Sequence, residues 1–128
     1  MNRIEYLKKL DELKLDKNRY CIISGGIMLL YGLREETEDI DIRIRPDYFE
    51  ELKQRFKFKK SSKLDNLYEL SNEIEVRVLD YDDSNIEMYD GYPVWKLELQ
   101  LEWFKEHNRE KDKKKIKIIE EYLKNKVK

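Results

Sequence analysis

Residue types that most often build disulfides, zinc sites and loops are scarce: one cysteine, one histidine, two prolines and four glycines in 128 residues. The lone Cys21 excludes an intramolecular disulfide. Within the apolar run Tyr20-Cys21-Ile22-Ile23 it reads as a small buried residue rather than a nucleophile. His107 has no companion cluster for zinc and reads as a helix C-terminal residue. No apolar stretch approaches the ~20 residues of a membrane span, and no signal-peptide pattern opens the chain. A cytoplasmic protein with no membrane partner is therefore expected. The length is too short for two independent cores, so residues 1–128 read as a single domain.

Charge is abundant. Charged residues make up 43% of the chain, against about 25% in ordinary globular chains. Periodic apolar residues and 12% aromatics argue against disorder. The net charge of −1 conceals segregation. Lys53 to Lys63 holds six basic residues and no acidic one, whereas Asp65 to Asp90 sets nine acidic residues against Arg77 alone. From Lys105 to Lys128, ten basic residues outnumber five acidic ones. Local patches, not the total, decide whether an anionic ligand is attracted. The Lys53–Lys63 and Lys111–Lys117 runs read first as solvated surfaces, with steering of a triphosphate or RNA as the sharper alternative.

Periodicity supplies the elements. Ile4, Leu7, Leu10 and Leu13 suit an amphipathic first helix. Tyr20 to Ser24 suits a buried strand ended by a Gly25-Gly26 turn, with a short buried helix over Ile27 to Leu33. Ile40, Ile42 and Ile44 alternate with Asp41, Arg43 and Arg45 in a two-faced strand that Pro46 stops. Asp47 then caps a helix reaching Phe56. Leu67–Leu70 and Ile74–Leu79 predict an antiparallel hairpin around Ser71-Asn72-Glu73. A short strand near Ile86–Met88, a turn at Gly91 and Pro93, and helices over Trp95–His107 and Ile116–Leu123 complete the chain. Trp95, Leu99 and Trp103 at helical spacing favour core packing over base stacking. The fold class is mixed α/β, of α+β type, around a small sheet.

The segment carrying chemistry runs from Ser24 to Ile42. Asp39 and Asp41 point to one face of a strand, close enough to share a divalent cation. Two like charges side by side are costly unless something positive compensates them, and Mg²⁺ prefers such oxygens. The glycine pair at a strand-to-helix turn leaves backbone N–H groups open to a phosphate. Asp-x-Asp alone is common on solvated strands, and Gly-Gly alone is more often a plain turn. Their combination at this interval is the signal.

Gly25-Gly26, twelve residues, then Asp39-Ile40-Asp41 resembles the signature of the DNA polymerase β-like nucleotidyltransferase superfamily. With Tyr31-Gly32, Arg34 and Thr37, the segment most resembles the AbiEii-type abortive-infection and toxin nucleotidyltransferases. Aminoglycoside and lincosamide nucleotidyltransferases share a related pattern. Lys105, Arg109, Lys111 and Asp112 resemble the closing pattern of the same family. The resemblance implies a minimal nucleotidyltransferase fold: a small mixed sheet, flanking helices and two C-terminal helices. It implies Ser24, Gly25, Gly26, Arg34, Thr37, Lys105, Arg109 and Lys111 toward the nucleotide. Asp39 and Asp41 would bind Mg²⁺ or Mn²⁺, with Glu75, where Asp is more usual, at the third ligand and acid–base position.

The implied activity is metal-dependent transfer of a nucleoside monophosphate from a nucleoside triphosphate to a hydroxyl. The acceptor would be tRNA or another RNA, a protein or a small molecule, with the part that selects it either absent or supplied by a protein partner. Small size and Glu75 support the alternative of a catalytically silent binding or antitoxin-like module of the same fold. A nucleic-acid-binding domain with incidental acids would lean on the basic run near Lys57, but it leaves the glycine-to-aspartate interval unexplained.

Overall fold

The computed structural model describes residues 1–126. Its first helix, α1 (Arg3–Glu12), opens with a capping box in which Asn2 accepts from the Glu5 N–H and Glu5 accepts from the Asn2 N–H. Tyr6 and Leu10, four residues apart, form its buried stripe. Ile4, expected in that stripe, is 78% exposed. It lies two positions from Tyr6, about 200° around the helix.

β1 (Tyr20–Ile22) runs into α2 (Gly25–Leu30), and β2 (Ile40–Ile44) follows. The glycines expected to form a turn are instead the first residues of α2; the turn is carried by Ser24, at φ 61 and ψ −138. α3 (Pro46–Leu52) starts at Pro46, with Arg45 rather than Asp47 at its N-cap. Proline suits a first helical position because the N–H it lacks would have no partner there. This helix ends well before Phe56.

β4 (Leu67–Glu69) and β5 (Ile74–Val78) form the expected hairpin, with Glu69 opposite Glu75 and Leu67 opposite Arg77. A two-residue strand, β3 (Lys59–Lys60), adds an exposed edge that periodicity did not reveal. β6 (Ile86–Tyr89) and β7 (Tyr92–Trp95) form a second hairpin. Asp90 and Gly91, at φ 52 and 84, make its two-residue connection, the Asp-Gly signal of such turns. The turn assigned to Pro93 and the helix start assigned to Trp95 are both strand. Pro93 is tolerated where pairing with β1 involves its neighbour Val94. α4 (Leu97–His107) and α5 (Glu110–Lys126) close the fold around Asn108 at φ 43.

The strands make one mixed sheet in the order β3-β4-β5-β2-β1-β7-β6. The expected mixed α+β class with two C-terminal helices is the one observed. β1 is antiparallel to β2, while β2 and β5 run parallel with Asp41 opposite Glu75 and Arg43 opposite Arg77. Ile40, Ile42 and Ile44, with Ile74, Val76 and Val78, are buried on one side. Tyr6 and Ile22 converge on Gly26 there, so α1 and α2 cover that side. The opposite side carries Asp41, Arg43, Glu75 and Arg77, which share a cleft with residues of α4 and α5.

Candidate functional site

The junction of β1 and α2 is held from two directions. Ser24 sits in a backbone region that residues with a Cβ rarely adopt, a strain that survives only where neighbours enforce it. Its N–H donates to Gln100 Oε1 at 2.9 Å, and Gln100 is buried on α4. Ile23 N–H donates to the Asp41 carbonyl at 3.0 Å. A Cβ on Gly25 would stand 3.0 Å from both Arg34 Nη1 and Thr37 Oγ1, so bare glycine admits those side chains to the start of α2. A Cβ on Gly26 would strike the Tyr6 hydroxyl and lie 2.8 Å from Ile22 Cγ2. Gly26 is thus a packing position.

Asp41 and Glu75 lie opposite each other on neighbouring strands, and Asp39 directly precedes β2. Burial, then Glu75, then Asp39 push the Asp41 carboxyl up to about 7. Burial and Glu75 also raise Asp39. Lys63 Nζ stands 3.2 Å from Glu75 Oε1. The donor set, all carboxylate oxygen with excess negative charge, fits the chemistry of a hard divalent cation such as Mg²⁺ or Mn²⁺. It is not drawn together, however: among the described residues no group of three or more His, Cys, Asp or Glu side chains is arranged to hold a metal ion.

Cations from the start of α5 enter the same cleft. Asp112 is 0% exposed and accepts from Arg109 Nε at 2.6 Å and Arg109 Nη2 at 3.1 Å. Lys115 Nζ lies 3.7 Å from Asp112 Oδ1, with a side chain only 20% exposed. Burial holds the Lys115 ammonium below its ordinary value; Asp112 opposes this, while Arg34, Lys111 and Arg109 reinforce it. Lys115 and Lys111 in turn draw Asp41 back down.

The cleft, about 640 Å³, brings together Ser24, Gly25, Arg34, Thr37, Asp39, Asp41, Glu75, Arg109 and Lys111. Two expected residues do not line it. Gly26 faces Tyr6, and Lys105 Nζ reaches Glu120 Oε2 at 3.0 Å, tying α4 to α5. Gln100 and Arg43 were missed from the sequence, Lys63 and Lys115 were weighed only as parts of basic runs, and Arg77 only as a neighbour of Glu75; all five line the cleft. Two signals were present. Lys115 is four residues beyond Lys111 on one helix face, and Arg43 and Arg77 each follow a carboxylate by two on a strand. Trp95 and Trp103, expected in the core, border the cleft as well. Trp103 stacks on His107 at 3.8 Å, and the Arg109 guanidinium lies 4.8 Å from its centroid.

No protein-family model, curated protein or solved structure matches this chain. Among the described residues, no helix is long and apolar enough to cross a membrane.

Proposed function

We propose that this chain transfers a nucleoside monophosphate from a nucleoside triphosphate to a hydroxyl acceptor, in the manner of DNA polymerase β-like nucleotidyltransferases. One observation carries the reading. Asp41 and Glu75, paired across β2 and β5, and Asp39 just before β2 share a cleft with the Ser24–Gly25 junction and with Arg34, Lys111 and Lys115. A triphosphate needs both kinds of group, cations for its oxygens and carboxylates for the metal that accompanies it.

Ser24, Gly25 and Thr37, which line the cleft, would receive the triphosphate, and Arg34, Arg109, Lys111 and Lys115 would bind its oxygens. Asp39, Asp41 and Glu75 would hold Mg²⁺ or Mn²⁺. When bound, the cation neutralises charge on the reacting phosphate and lowers the pKa of the acceptor hydroxyl. The acceptor oxygen forms a bond to the α-phosphorus as the bridging P–O bond to the β-phosphate breaks, and pyrophosphate leaves with both bonding electrons. Glu75 takes the hydroxyl proton. The acceptor is an RNA, a protein or a small molecule, and a protein partner is a further candidate source of selectivity.

A second reading, a catalytically silent binding module, is favoured by two features: Glu75 is engaged by Lys63, and the carboxylates are not gathered around a metal position. Incubation with α-labelled triphosphates, Mg²⁺ or Mn²⁺, total RNA and total protein separates the two. Transfer predicts label in one pool, lost in Asp39→Asn and Asp41→Asn. A triphosphate-dependent rise in melting temperature without label favours the silent module. Neither label nor thermal shift overturns both.

A further inference from the structure

Two arginines in the cleft have no part in the chemistry above. Arg43 and Arg77 lie opposite each other on β2 and β5, strands about 4.8 Å apart. Like charges at such positions repel unless an anion lies between them. Among the described residues, neither guanidinium has a carboxylate within ion-pair reach. Arg77 Nε is buried without a hydrogen-bond partner. Arg43 is fixed in place: Nε donates to the Leu79 carbonyl at 3.4 Å, Nη2 donates to the Asp80 carbonyl, and the guanidinium lies 4.7 Å from the Trp95 centroid. Both arginines line the cleft.

Their position along the strands matters as much as their charge. β1 is antiparallel to β2 and leads to Ser24 and Gly25 at the end where β2 begins. Asp41 and Glu75 come next, and Arg43 and Arg77 lie two residues further, roughly 6–7 Å on. The carboxylates therefore stand between the Ser24–Gly25 junction and the arginine pair. In phosphoryl transfer the attacking and leaving oxygens are roughly in line on opposite sides of phosphorus. With the triphosphate entering beside Gly25, the acceptor approaches from the arginine side.

From this we infer that Arg43 and Arg77 form an anion subsite for a phosphate carried by the acceptor itself. The inference rests on the nucleotidyltransferase reading and narrows its acceptor class. The substrate is a phosphorylated molecule, its phosphate about one sugar unit from the reacting hydroxyl, rather than an unmodified protein hydroxyl. Charge-assisted, forked hydrogen bonds from guanidinium to phosphate supply the recognition.

The test fills the triphosphate end first, with Mg²⁺ and a saturating non-hydrolysable triphosphate, and follows the thermal shift. A fluorescein-labelled oligouridylate with a free 3′-hydroxyl is then titrated by anisotropy, with inorganic phosphate and unphosphorylated uridine as competitors. Arg77→Gln should weaken oligonucleotide binding about tenfold and lower the salt slope by about one, with the triphosphate shift and the circular dichroism unchanged. Arg77→Lys should recover part of the affinity, and phosphate but not uridine should compete. Wild-type affinity in Arg77→Gln, with the triphosphate shift intact, overturns the subsite and leaves the transferase reading standing. Loss of the triphosphate shift in that variant also overturns it, assigning the arginines to the departing pyrophosphate. Absence of any triphosphate shift in the unaltered protein removes the reading itself, and the acceptor role with it.

Discussion

Replacing Asp41 with Asn removes one proton equilibrium from the most crowded acidic position in the cleft. Burial, Glu75 and Asp39 together raise its carboxyl from 3.8 to about 7. Because the folded-state value is the higher one, the native protein holds this proton longer than the unfolded chain does. Stability therefore falls as pH rises from about 4 to about 7 and levels off above that. A rise across roughly three pH units, at about 1.36 kcal/mol for each, sets an upper limit of about 4 kcal/mol for the cost of the ionised carboxylate. Asn mimics the protonated form, so Asp41→Asn should match the original protein near pH 4. Its advantage should grow through pH 5 to 7 and reach no more than about 4 kcal/mol at pH 8.5. Urea denaturation followed by tryptophan fluorescence, with chelator present, measures the difference at each pH. Adding Mn²⁺ at pH 8.5 should raise the stability of the original protein more than that of the variant, which keeps only Asp39 and Glu75 to meet the cation. An Asn variant no more stable at pH 8.5, or one whose gain is the same at every pH, would refute this account of Asp41.

Other changes test the surrounding structure. Gly26→Ala gains about 1 kcal/mol of helix propensity, but its Cβ meets Tyr6 and Ile22; overpacking of roughly 1–3 kcal/mol should win, and a raised melting temperature would contradict it. Asp112→Asn leaves Arg109 and Lys115 without their buried counter-charge and should cost about 1–3 kcal/mol by chemical denaturation; an unchanged midpoint would show that the pairs contribute nothing. Lys63→Met should leave the melting temperature nearly unchanged, since Lys63 is exposed, yet tighten Mn²⁺ binding by releasing Glu75; weaker Mn²⁺ binding would make Lys63 part of the site. Burial pushes the Cys21 thiol up to about 12, so it should react with a disulfide reagent only at the rate of unfolding; a fast native reaction would mean that the strand opens locally.

Alternation in Ile40–Ile44 and Ile74–Val78 set which side chains share a sheet face, because successive residues on a strand point to opposite sides. Asp41 and Glu75, together with Arg43 and Arg77, were thereby already sorted onto the polar faces of their strands. The hairpin of β4 and β5 was legible for the same reason, and so were two C-terminal helices. The glycine pair was legible as a landmark but not as a conformation, because a sequence interval does not say whether Gly25 and Gly26 turn or begin a helix. Pairing was the larger gap. That β5 lies beside β2, parallel and with Asp41 opposite Glu75, depends on contacts between distant segments; a shift of two residues would keep every face and set Arg77 against Asp41 instead. Helix rotation was likewise undecided. Lys105 and Lys115 are similar charges on polar helices, yet one reaches Glu120 and the other enters the cleft beside Asp112. Local sterics fix a side chain's direction relative to its own element, and those the sequence determines; register and rotation are chosen by long-range burial across the whole chain, and only the tertiary structure decides them.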